Sequence, residues 1–438
     1  MIFADGVYMS SRSKIKFLLV FLAIYSIEAG QLIRSELILE DRFPSVIEQS
    51  LDFLKRRQKR DGSYIYDHFP FQGRTIYKGS WVRQAGTFMA MALAYDETKT
   101  ELKESLDKAI SFFKQNSVGF VRDGLKMRII SENHEGYTGT MCLFLIGYFH
   151  LHRLNPVAFP IESSIYQEIM DTLAYYHHED AGITRYINIK EDYIEKHRRD
   201  SEIYASAQHF VLLAMYHRVF QRKYLHPSLL SYLDLYKRKW TYGELGPSYH
   251  WVMMALKILN ELNNAELNTQ VLQAAHELQM AMEKEYPLDF LTNNYCARLE
   301  GFGSYLQILQ TNNLLDRRDL YKLTKHLRYS RNFQLKTETR KKAALPGSPQ
   351  KAGKPELRIE QKNPSHSVGG FWHREVDGYH TRIDVTQHCL SAFTYHEQIM
   401  DKIPDKPWEP PEDEDWMYDT SSIEEKKLYP IILKTIYR

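Results

Sequence analysis

Cysteine is scarce in this chain, with only three residues among 438. Cys142, Cys296 and Cys389 all lie within apolar stretches. Their spacing forms neither the dense framework of a disulfide-stabilised domain nor a CxxC metal motif. We therefore expect three buried free thiols and no metal centre.

The sequence also lacks the short motifs of several large enzyme classes. No GxSxG, P-loop or GxGxxG string follows a strand-like segment, and HExxH does not occur. Alternating strand-like patterns are almost absent, which argues against an α/β fold. The net charge is only +2, so the charge balance gives no reason to expect a nucleic-acid partner. We expect no cofactor and no nucleic acid.

What the chain does contain is a sixfold pattern. A polar cluster leads into a strongly apolar helical stretch at 79–95, 135–151, 200–220, 246–262, 293–310 and 382–399. A more amphipathic helical segment precedes each of them, at about 45–59, 101–116, 161–177, 227–239, 265–285 and 316–328. A helix that is apolar nearly all round is buried, whereas one with a single apolar stripe lies outside it. The pattern predicts an all-α toroid of twelve helices, alternately outer and inner, within residues 31–400.

The segments outside this pattern have compositions of their own. Basic residues and then the apolar run 17–27 indicate a signal peptide in residues 1–30, with Met9 as a possible start. The run is short for a membrane span, so we expect a secreted or periplasmic protein, and the alternative is an N-terminal membrane anchor. Residues 330–366 carry a basic insertion that we expect to be a loop. Residues 401–438 form an extension rich in proline and acidic residues.

One local string supports the ring. Phe53-Leu54, Gln58, Gly62 and Tyr64 spell an aromatic-Leu-x3-Gln-x3-Gly-x-aromatic pattern. This pattern resembles the repeat of terpene cyclases and related α/α-toroid proteins, in which the glutamine can cap backbone groups at a helix end. The acid motifs of terpene cyclases, DxDD and DCTAE, are absent. The string 378–393 resembles the last repeat of prenyltransferase β subunits, but the partner zinc-ligand motif is missing.

The head of the last inner stretch carries the strongest candidates for chemistry. Asp384 and His388 are four residues apart, so they share one face of a helix, where a carboxylate beside an imidazole can act as an acid/base pair. Asp384 could instead be a helix-terminal anion paired with Arg382.

The other inner stretches add ionisable and aromatic residues at the same place in each repeat. Closing the ring would bring these heads to one cavity. We predict Glu300, Asp384 and His388 as catalytic residues. The predicted substrate-binding residues are Arg83, Glu135, Asp200, Glu202, Tyr249, His250, Trp251, Arg298 and Arg382.

The whole pattern resembles the (α/α)6-toroid group, which includes glycoside hydrolases, polysaccharide lyases and sugar epimerases. That resemblance implies a carbohydrate-active enzyme with a glycan or sugar substrate, acidic or amino-substituted. Hydrolysis would use Glu300 and Asp384 as its two carboxyl groups. Epimerisation or elimination would use His388 or His250 as base, beside an arginine that holds a uronate.

Two other classes remain open. The chain could be a non-catalytic α/α scaffold that binds a glycan or a peptide, or a toroid enzyme that acts on isoprenoids. A filled ring centre favours the scaffold, a cavity lined by aromatic and aliphatic groups favours the isoprenoid enzyme, and a cavity lined by ionisable groups favours the sugar enzyme.

Overall fold

A computed structural model of the chain describes residues 42–403. Gaps in this range fall at 97–99, 132–133, 162, 179–181, 191–202, 221–226, 240–245, 263–264, 286–294, 338–340, 345–355 and 376–377. The predicted signal peptide at 1–30 and nearly all of the 401–438 extension therefore lie outside the described residues, as do Asp200 and Glu202.

Twelve α-helices are present in the described part, and they alternate between two layers. The outer helices are α1 (Pro44–Arg57), α3 (Thr100–Gln115), α5 (Ser163–Tyr175), α7 (Pro227–Lys239), α9 (Ala265–Glu285) and α11 (Arg317–Arg331). The inner helices are α2 (Trp81–Leu93), α4 (Thr138–Leu154), α6 (Ile203–Phe220), α8 (Tyr249–Asn260), α10 (Tyr295–Thr311) and α12 (Ile383–Met400).

The inner helices close into a ring. Each packs against the next inner helix in chain order, and α12 packs against α2. The sequence explains their position, because these helices carry apolar residues on every side; in α4 each residue from Thr138 to Leu151 is buried. The outer helices bury only one stripe, as in α1, where Leu51, Phe53 and Leu54 are buried and Asp52 is exposed. The predicted (α/α)6 toroid is confirmed.

Gln58 shows why the aromatic-Leu-x3-Gln-x3-Gly-x-aromatic string supports this ring. Its amide nitrogen donates to the carbonyl oxygens of Gly62, at 3.2 Å, and Ser105, at 2.8 Å. Ser105 Oγ in turn donates to the Gln58 Oε1 atom at 2.7 Å. The glutamine thus closes the turn after α1 and ties it to outer helix α3.

Strands are few and short, in agreement with the scarcity of strand-like patterns in the sequence. Short antiparallel pairs join the helices in the described residues: β1 (Asp67–Phe69), β2 (Arg74–Ile76), β3 (Ser117–Arg122), β4 (Leu125–Ile130), β5 (Glu135–Tyr137), β6 (His177–His178), β7 (Gly182–Ile183), β8 (Tyr186–Asn188), β9 (Lys341–Ala344), β10 (Glu356–Ile359), β11 (Trp372–Glu375) and β12 (Gly378–Arg382). Strands of two to six residues are too short for alternation to stand out.

Two of these pairings change the sequence interpretation. The basic insertion is not simply a loop, because its β9 and β10 pair with each other, Lys341 opposite Ile359. In the four-stranded sheet β11-β12-β1-β2, Asp67 of β1 lies opposite Arg382 of β12. This register places Arg382 directly before the first turn of α12.

The expectation of three free thiols was wrong. Cys296 of α10 and Cys389 of α12 form a disulfide with a Cα–Cα distance of 4.7 Å, and Cys142 is free and buried. The two half-cystines are 93 residues apart in sequence and meet only because α10 and α12 are neighbours in the ring. In the described part, no helix is both long enough and apolar enough to span a membrane.

Candidate active site

A cavity of about 510 Å³ opens where the inner helices begin, and we call it the central cavity. The N-terminal turns of α2, α4, α6, α8 and α12 contribute to its wall, so their partial positive charges face it. The lining residues are Ser80, Val82, Arg83, Tyr137, Gly139, Leu143, Arg185, Tyr204, Ala205, Gln208, His250, Trp251, Arg382, Asp384, Val385, Gln387 and His388.

One side of the central cavity is an ionic cluster around Asp384. Arg382 Nε donates to Asp384 Oδ1 at 2.9 Å, and the Arg83 Nε atom lies 3.0 Å from Oδ2. Arg83 also donates to the hydroxyl of Tyr66. Burial raises the pKa of Asp384, but the hydrogen bond and charge of Arg382 and the charge of Arg83 outweigh it and hold the pKa below its ordinary value. Asp384 therefore stays ionised and is a poor proton donor at neutral pH.

Next to this cluster the cavity wall carries a histidine with a buried carboxylate behind it. His388 Nδ1 lies 2.8 Å from Glu300 Oε2, across the contact between α12 and α10. Glu300 is 0% exposed and does not itself line the cavity. A carboxylate can only accept, so in the neutral form of His388 the proton lies on Nδ1 and Nε2 carries the lone pair. Glu300 thus fixes the tautomer of a histidine that does line the cavity.

His250 lies against His388 and completes this group. The two imidazole rings are 4.9 Å apart and nearly perpendicular, and the ring of Trp251 is 4.5 Å from that of His250. Burial, reinforced by the charge of His388, lowers the pKa of His250 well below its ordinary value. His250 is therefore neutral at pH 7.

The backbone leaves room for amide side chains at the cavity floor. A Cβ on Gly86 would lie 2.6 Å from the amide atoms of Gln387, and a Cβ on Gly139 would lie 2.3 Å from Gln208 Oε1. Glycine at both positions lets the glutamines reach the centre of the ring. Gln208 and Tyr204 were missed as site residues, although polar groups four residues apart in an apolar stretch were a usable signal.

Several predicted residues lie in the central cavity and others do not. Among the lining residues are Arg83, His250, Trp251, Arg382, Asp384 and His388. Glu135 is exposed, and its Oε1 accepts a hydrogen bond of 3.3 Å from Asn188.

Tyr249 and Arg298 are placed differently from the expectation. The hydroxyl of Tyr249 donates to Gln279 on outer helix α9, so its side chain points away from the cavity. Arg298 is buried and close enough for its charge to act on Tyr249, whose pKa burial raises. The cause is helix geometry: a residue next to a lining residue, as Tyr249 is to His250, lies about 100° away on the helix surface. Of the predicted residues that the structure describes, Glu135, Tyr249, Arg298 and Glu300 are therefore not among those that line the central cavity.

Two imidazoles and a carboxylate are also a possible cation site. One ligand atom each from His250, Glu300 and His388 lies within 4.8 Å of the others. Glu300 Oε1 and His250 Nε2 lack hydrogen-bond partners among the described residues. The hydrogen bond between Glu300 and His388 already occupies one potential ligand atom of each residue, Oε2 and Nδ1. The absence of a metal thus remains a prediction.

Comparison with known proteins supports the fold. No protein-family model matches the sequence, and no curated protein matches it. A D-mannose isomerase structure is 10% identical, with a TM-score of 0.53 over 82% of this chain and 97% of the other. A family 76 glycoside hydrolase from a bovine Bacteroides thetaiotaomicron strain is 9% identical, with a TM-score of 0.52 over 82% and 78%. Cellobiose 2-epimerase from Spirochaeta thermophila DSM 6192 is 10% identical, with a TM-score of 0.50 over 84% and 98%. The chain thus has the (α/α)6-toroid fold.

Proposed function

We propose that this protein is a carbohydrate-active enzyme that moves a proton on a carbon atom of an acidic sugar, as an epimerase, isomerase or lyase does. The observation that carries the proposal is the hydrogen bond between His388 and Glu300, which joins an imidazole that lines the cavity to a buried carboxylate. Solved structures with this fold include a mannose isomerase and a cellobiose 2-epimerase.

The contents of the central cavity favour a sugar over the alternatives. Its volume of about 510 Å³ leaves the ring centre open at this end, which disfavours a purely structural scaffold. Ionisable and amide groups line much of it, which disfavours an isoprenoid chain. Trp251 and Tyr204 add flat apolar faces suited to the ring of a sugar.

Proton transfer through histidine fits the geometry better than hydrolysis through two carboxyl groups. Hydrolysis needs both carboxyl groups beside the scissile bond, one of them protonated. Glu300 is fully buried behind His388, and the pKa of Asp384 is held low between two arginines. His388 has neither restriction, because it lines the cavity and the Nε2 atom of its neutral ring can accept a proton.

The charge of the central cavity favours an anionic substrate. The lining residues carry three guanidinium groups and one carboxylate. The guanidinium groups are those of Arg83, Arg185 and Arg382, and the carboxylate is that of Asp384. The N-terminal turns of the inner helices add further positive potential. The carboxylate of a uronate would find bidentate donors here.

In the proposed reaction His388 Nε2 takes the proton from the carbon next to the carboxylate or carbonyl group of the sugar. The electron pair left on carbon delocalises onto that group's oxygen, and the arginine charges stabilise the resulting enolate. Glu300 stabilises the imidazolium that His388 becomes. Return of a proton from solvent to the other face gives the epimer. In the lyase reaction the electron pair of the enolate forms a carbon–carbon double bond, and the leaving group departs from the next carbon with the bonding pair and takes a proton from solvent.

We also propose that the protein is exported, on the basis of the basic and apolar sequence before residue 31. Mass spectrometry of protein recovered outside the cytoplasm tests this, since export with cleavage predicts a chain that lacks about the first 30 residues. An intact N-terminus would favour the anchor instead.

The experiment for the enzyme proposal is a substrate screen followed by NMR. The full chain is incubated with uronate-containing polymers, amino-sugar polymers and the free sugars, and proton spectra are recorded for wild type and His388→Gln. We expect a new epimer or unsaturated product from an acidic sugar with wild type and none with the variant. Release of reducing ends at equal rates by both proteins would contradict the proposal.

A further inference from the structure

A second cavity lies at the other end of the ring, where the inner helices finish, and we call it the rear cavity. Its volume is about 290 Å³. The last turns of α2, α4, α6, α8, α10 and α12 form its wall, through Leu93, Ile146, His150, Arg153, Met215, Arg218, Met254, Lys257, Ile258, Glu261, Gln307, Thr311, Tyr395, Gln398, Asp401 and Lys402. It shares no residue with the central cavity.

The rear cavity gathers more positive than negative charge. Four cations line it, which are Arg153, Arg218, Lys257 and Lys402. Its carboxylates are Glu261 and Asp401, and both are already engaged, the first by Arg218 at 2.5 Å and the second by Arg42. Lys257 has no counter-ion within ion-pair distance among the described residues, and its ammonium lies 4.5 Å from the ring centre of Tyr395. Lys257 therefore has no direct ion pair in the described part of the chain, although the charge of Glu261 acts on it.

Helix ends explain part of this arrangement but not all of it. The carbonyl groups at helix C-termini attract cations, and Arg153, Arg218 and Lys257 lie in the last turns of α4, α6 and α8. Cations with that role alone could each lie at their own helix end and extend into solvent. Here they converge on one cavity and repel one another. Burial lowers the pKa of Lys257 to about 8; the charge of Glu261 acts against this shift, and the charges of Arg218, Lys402 and Arg153 add to it.

Neutral polar groups in the same cavity also lack partners. His150 Nδ1 and Gln307 Oε1 are buried without a hydrogen-bond partner in the described part of the chain. The Nε2 atom of Gln307 is used by Tyr395 and Gln398, so Oε1 is free to accept from a ligand hydroxyl. A buried polar atom without a partner costs about 1–3 kcal/mol, and a bound ligand would remove that cost.

We propose that the rear cavity binds a tetrahedral oxyanion, carried as the phosphate or sulfate ester of a small polyol. Guanidinium forks on Arg153 and Arg218 suit the paired oxygens of such a group, and Lys257 supplies a point charge beneath it. Gln307 and Thr311 are placed for the hydroxyls of the polyol. The volume admits a single small molecule and not a polymer. This site is independent of the reaction proposed for the central cavity.

Isothermal titration calorimetry on the full chain tests the proposal. The ligands are inorganic phosphate, sulfate and glucose 6-phosphate, with glucose as the uncharged control. We expect the anions to bind and glucose not to bind. Tighter binding of glucose 6-phosphate than of phosphate identifies an ester site, and equal binding identifies a site for the free anion.

Three variants locate the binding. Lys257→Met keeps the length of the side chain and removes its charge, so it should weaken anion binding about tenfold to a hundredfold. Lys108→Met, on outer helix α3 where the lysine pairs with Glu104, is the matched control and should bind like wild type. Arg382→Gln removes a charge from the central cavity and should also bind like wild type.

Two results would overturn the assignment. Failure of wild type to bind any of the three anions at about 10 mM would mean that the cations serve the helix ends alone. Binding that survives in Lys257→Met but is lost in Arg382→Gln would place the anion in the central cavity. Neither result tests whether His388 moves a proton. The anion site in the rear cavity and the reaction in the central cavity can therefore be disproved independently.

Discussion

The Nδ1 atom of His388 lies 2.8 Å from Oε2 of Glu300, although the two residues are 88 positions apart in sequence. They meet because α10 and α12 are neighbouring inner helices, with Glu300 and His388 both near the end of the ring where those helices begin. One partner is fully buried and the other lines the central cavity. A buried carboxylate can therefore set the proton position of a histidine that a substrate can reach.

Glu300→Gln should lower kcat about 10²- to 10⁴-fold, because an amide fixes the His388 tautomer poorly and cannot stabilise imidazolium. Circular dichroism should show an unchanged fold, since the substitution keeps the shape of the side chain. Glu283→Gln, at an outer-helix glutamate 2.6 Å from Lys322, is the matched control and should keep full activity. Normal turnover by Glu300→Gln would remove this residue from the mechanism.

Asp384→Asn should act mainly on substrate binding. The substitution removes the anion that holds Arg83 and Arg382 in place, so both guanidinium groups lose their orientation. We expect KM for an acidic sugar to rise about tenfold or more, with a smaller change in kcat. Steady-state kinetics separates the two effects, and a loss confined to kcat would assign Asp384 to the chemical step instead.

The disulfide should support the His388–Glu300 contact. Cys389 directly follows His388, and Cys296 precedes Glu300 by one helical turn, so the bond holds the two helices together beside that contact. Cys296→Ser combined with Cys389→Ser should lower the free energy of unfolding by about 2–4 kcal/mol and reduce kcat. Cys142→Ser is the control for a buried thiol outside the pair. Equal kcat in wild type and the double variant would show that packing alone holds the contact.

Lys257→Met should make the protein more stable at pH 7. The pKa of Lys257 falls from its ordinary 10.5 to about 8 in the folded protein, so between pH 8 and 10.5 the unfolded chain binds this proton more strongly. The contribution of Lys257 to stability consequently rises with pH across that window and is least favourable below pH 8. The charged groups that face it are Arg153, Arg218, Glu261, Asp401 and Lys402.

Thermal unfolding at several pH values checks this expectation. The melting temperature of Lys257→Met at pH 7 should exceed that of wild type by on the order of 2 °C. The difference should shrink as the pH approaches 10.5. A lower melting temperature for the variant at pH 7 would show that the ammonium stabilises the fold.

Chelation should leave activity unchanged. His388 Nδ1 and Glu300 Oε2 are bonded to each other, and a cation held by His250, Glu300 and His388 would have to replace that bond. We expect equal turnover before and after dialysis against EDTA, with no metal found by elemental analysis. Loss of activity on dialysis and its return with one divalent cation would reassign these three residues as ligands.

The inner and outer layers of helices could be predicted from the sequence, because burial of a helix determines the pattern of its apolar residues. The apolar stretch 382–399 became α12, Ile383–Met400, and the amphipathic segments 227–239 and 265–285 became α7 and α9 with the same bounds. Each inner helix is apolar on all sides, so its place in the ring does not depend on any single contact. Strands of two to six residues and a disulfide that spans 93 residues leave no such pattern.

The candidate site could be predicted only in part, for a geometric reason. Polar heads on successive inner helices do meet at one end of the ring, which is why Arg83, His250 and His388 line one cavity. Direction around a helix is harder to predict, because the face of an all-apolar helix that points inward is not marked. Tyr249 thus points to an outer helix while its neighbour His250 points inward.

Solvent deuterium exchange tests the central claim most directly, namely that His388 moves a proton to and from carbon. Wild-type protein and His388→Gln are each incubated in D₂O with the acidic sugar identified in the substrate screen, and the sugar is examined by NMR and mass spectrometry. The account predicts that wild type either places one deuterium on the carbon next to the carboxylate or carbonyl group or leaves a carbon–carbon double bond at that carbon, and that the variant does neither. Product formed by wild type with new reducing ends, no deuterium on any carbon and no new carbon–carbon double bond would contradict it and identify a hydrolase.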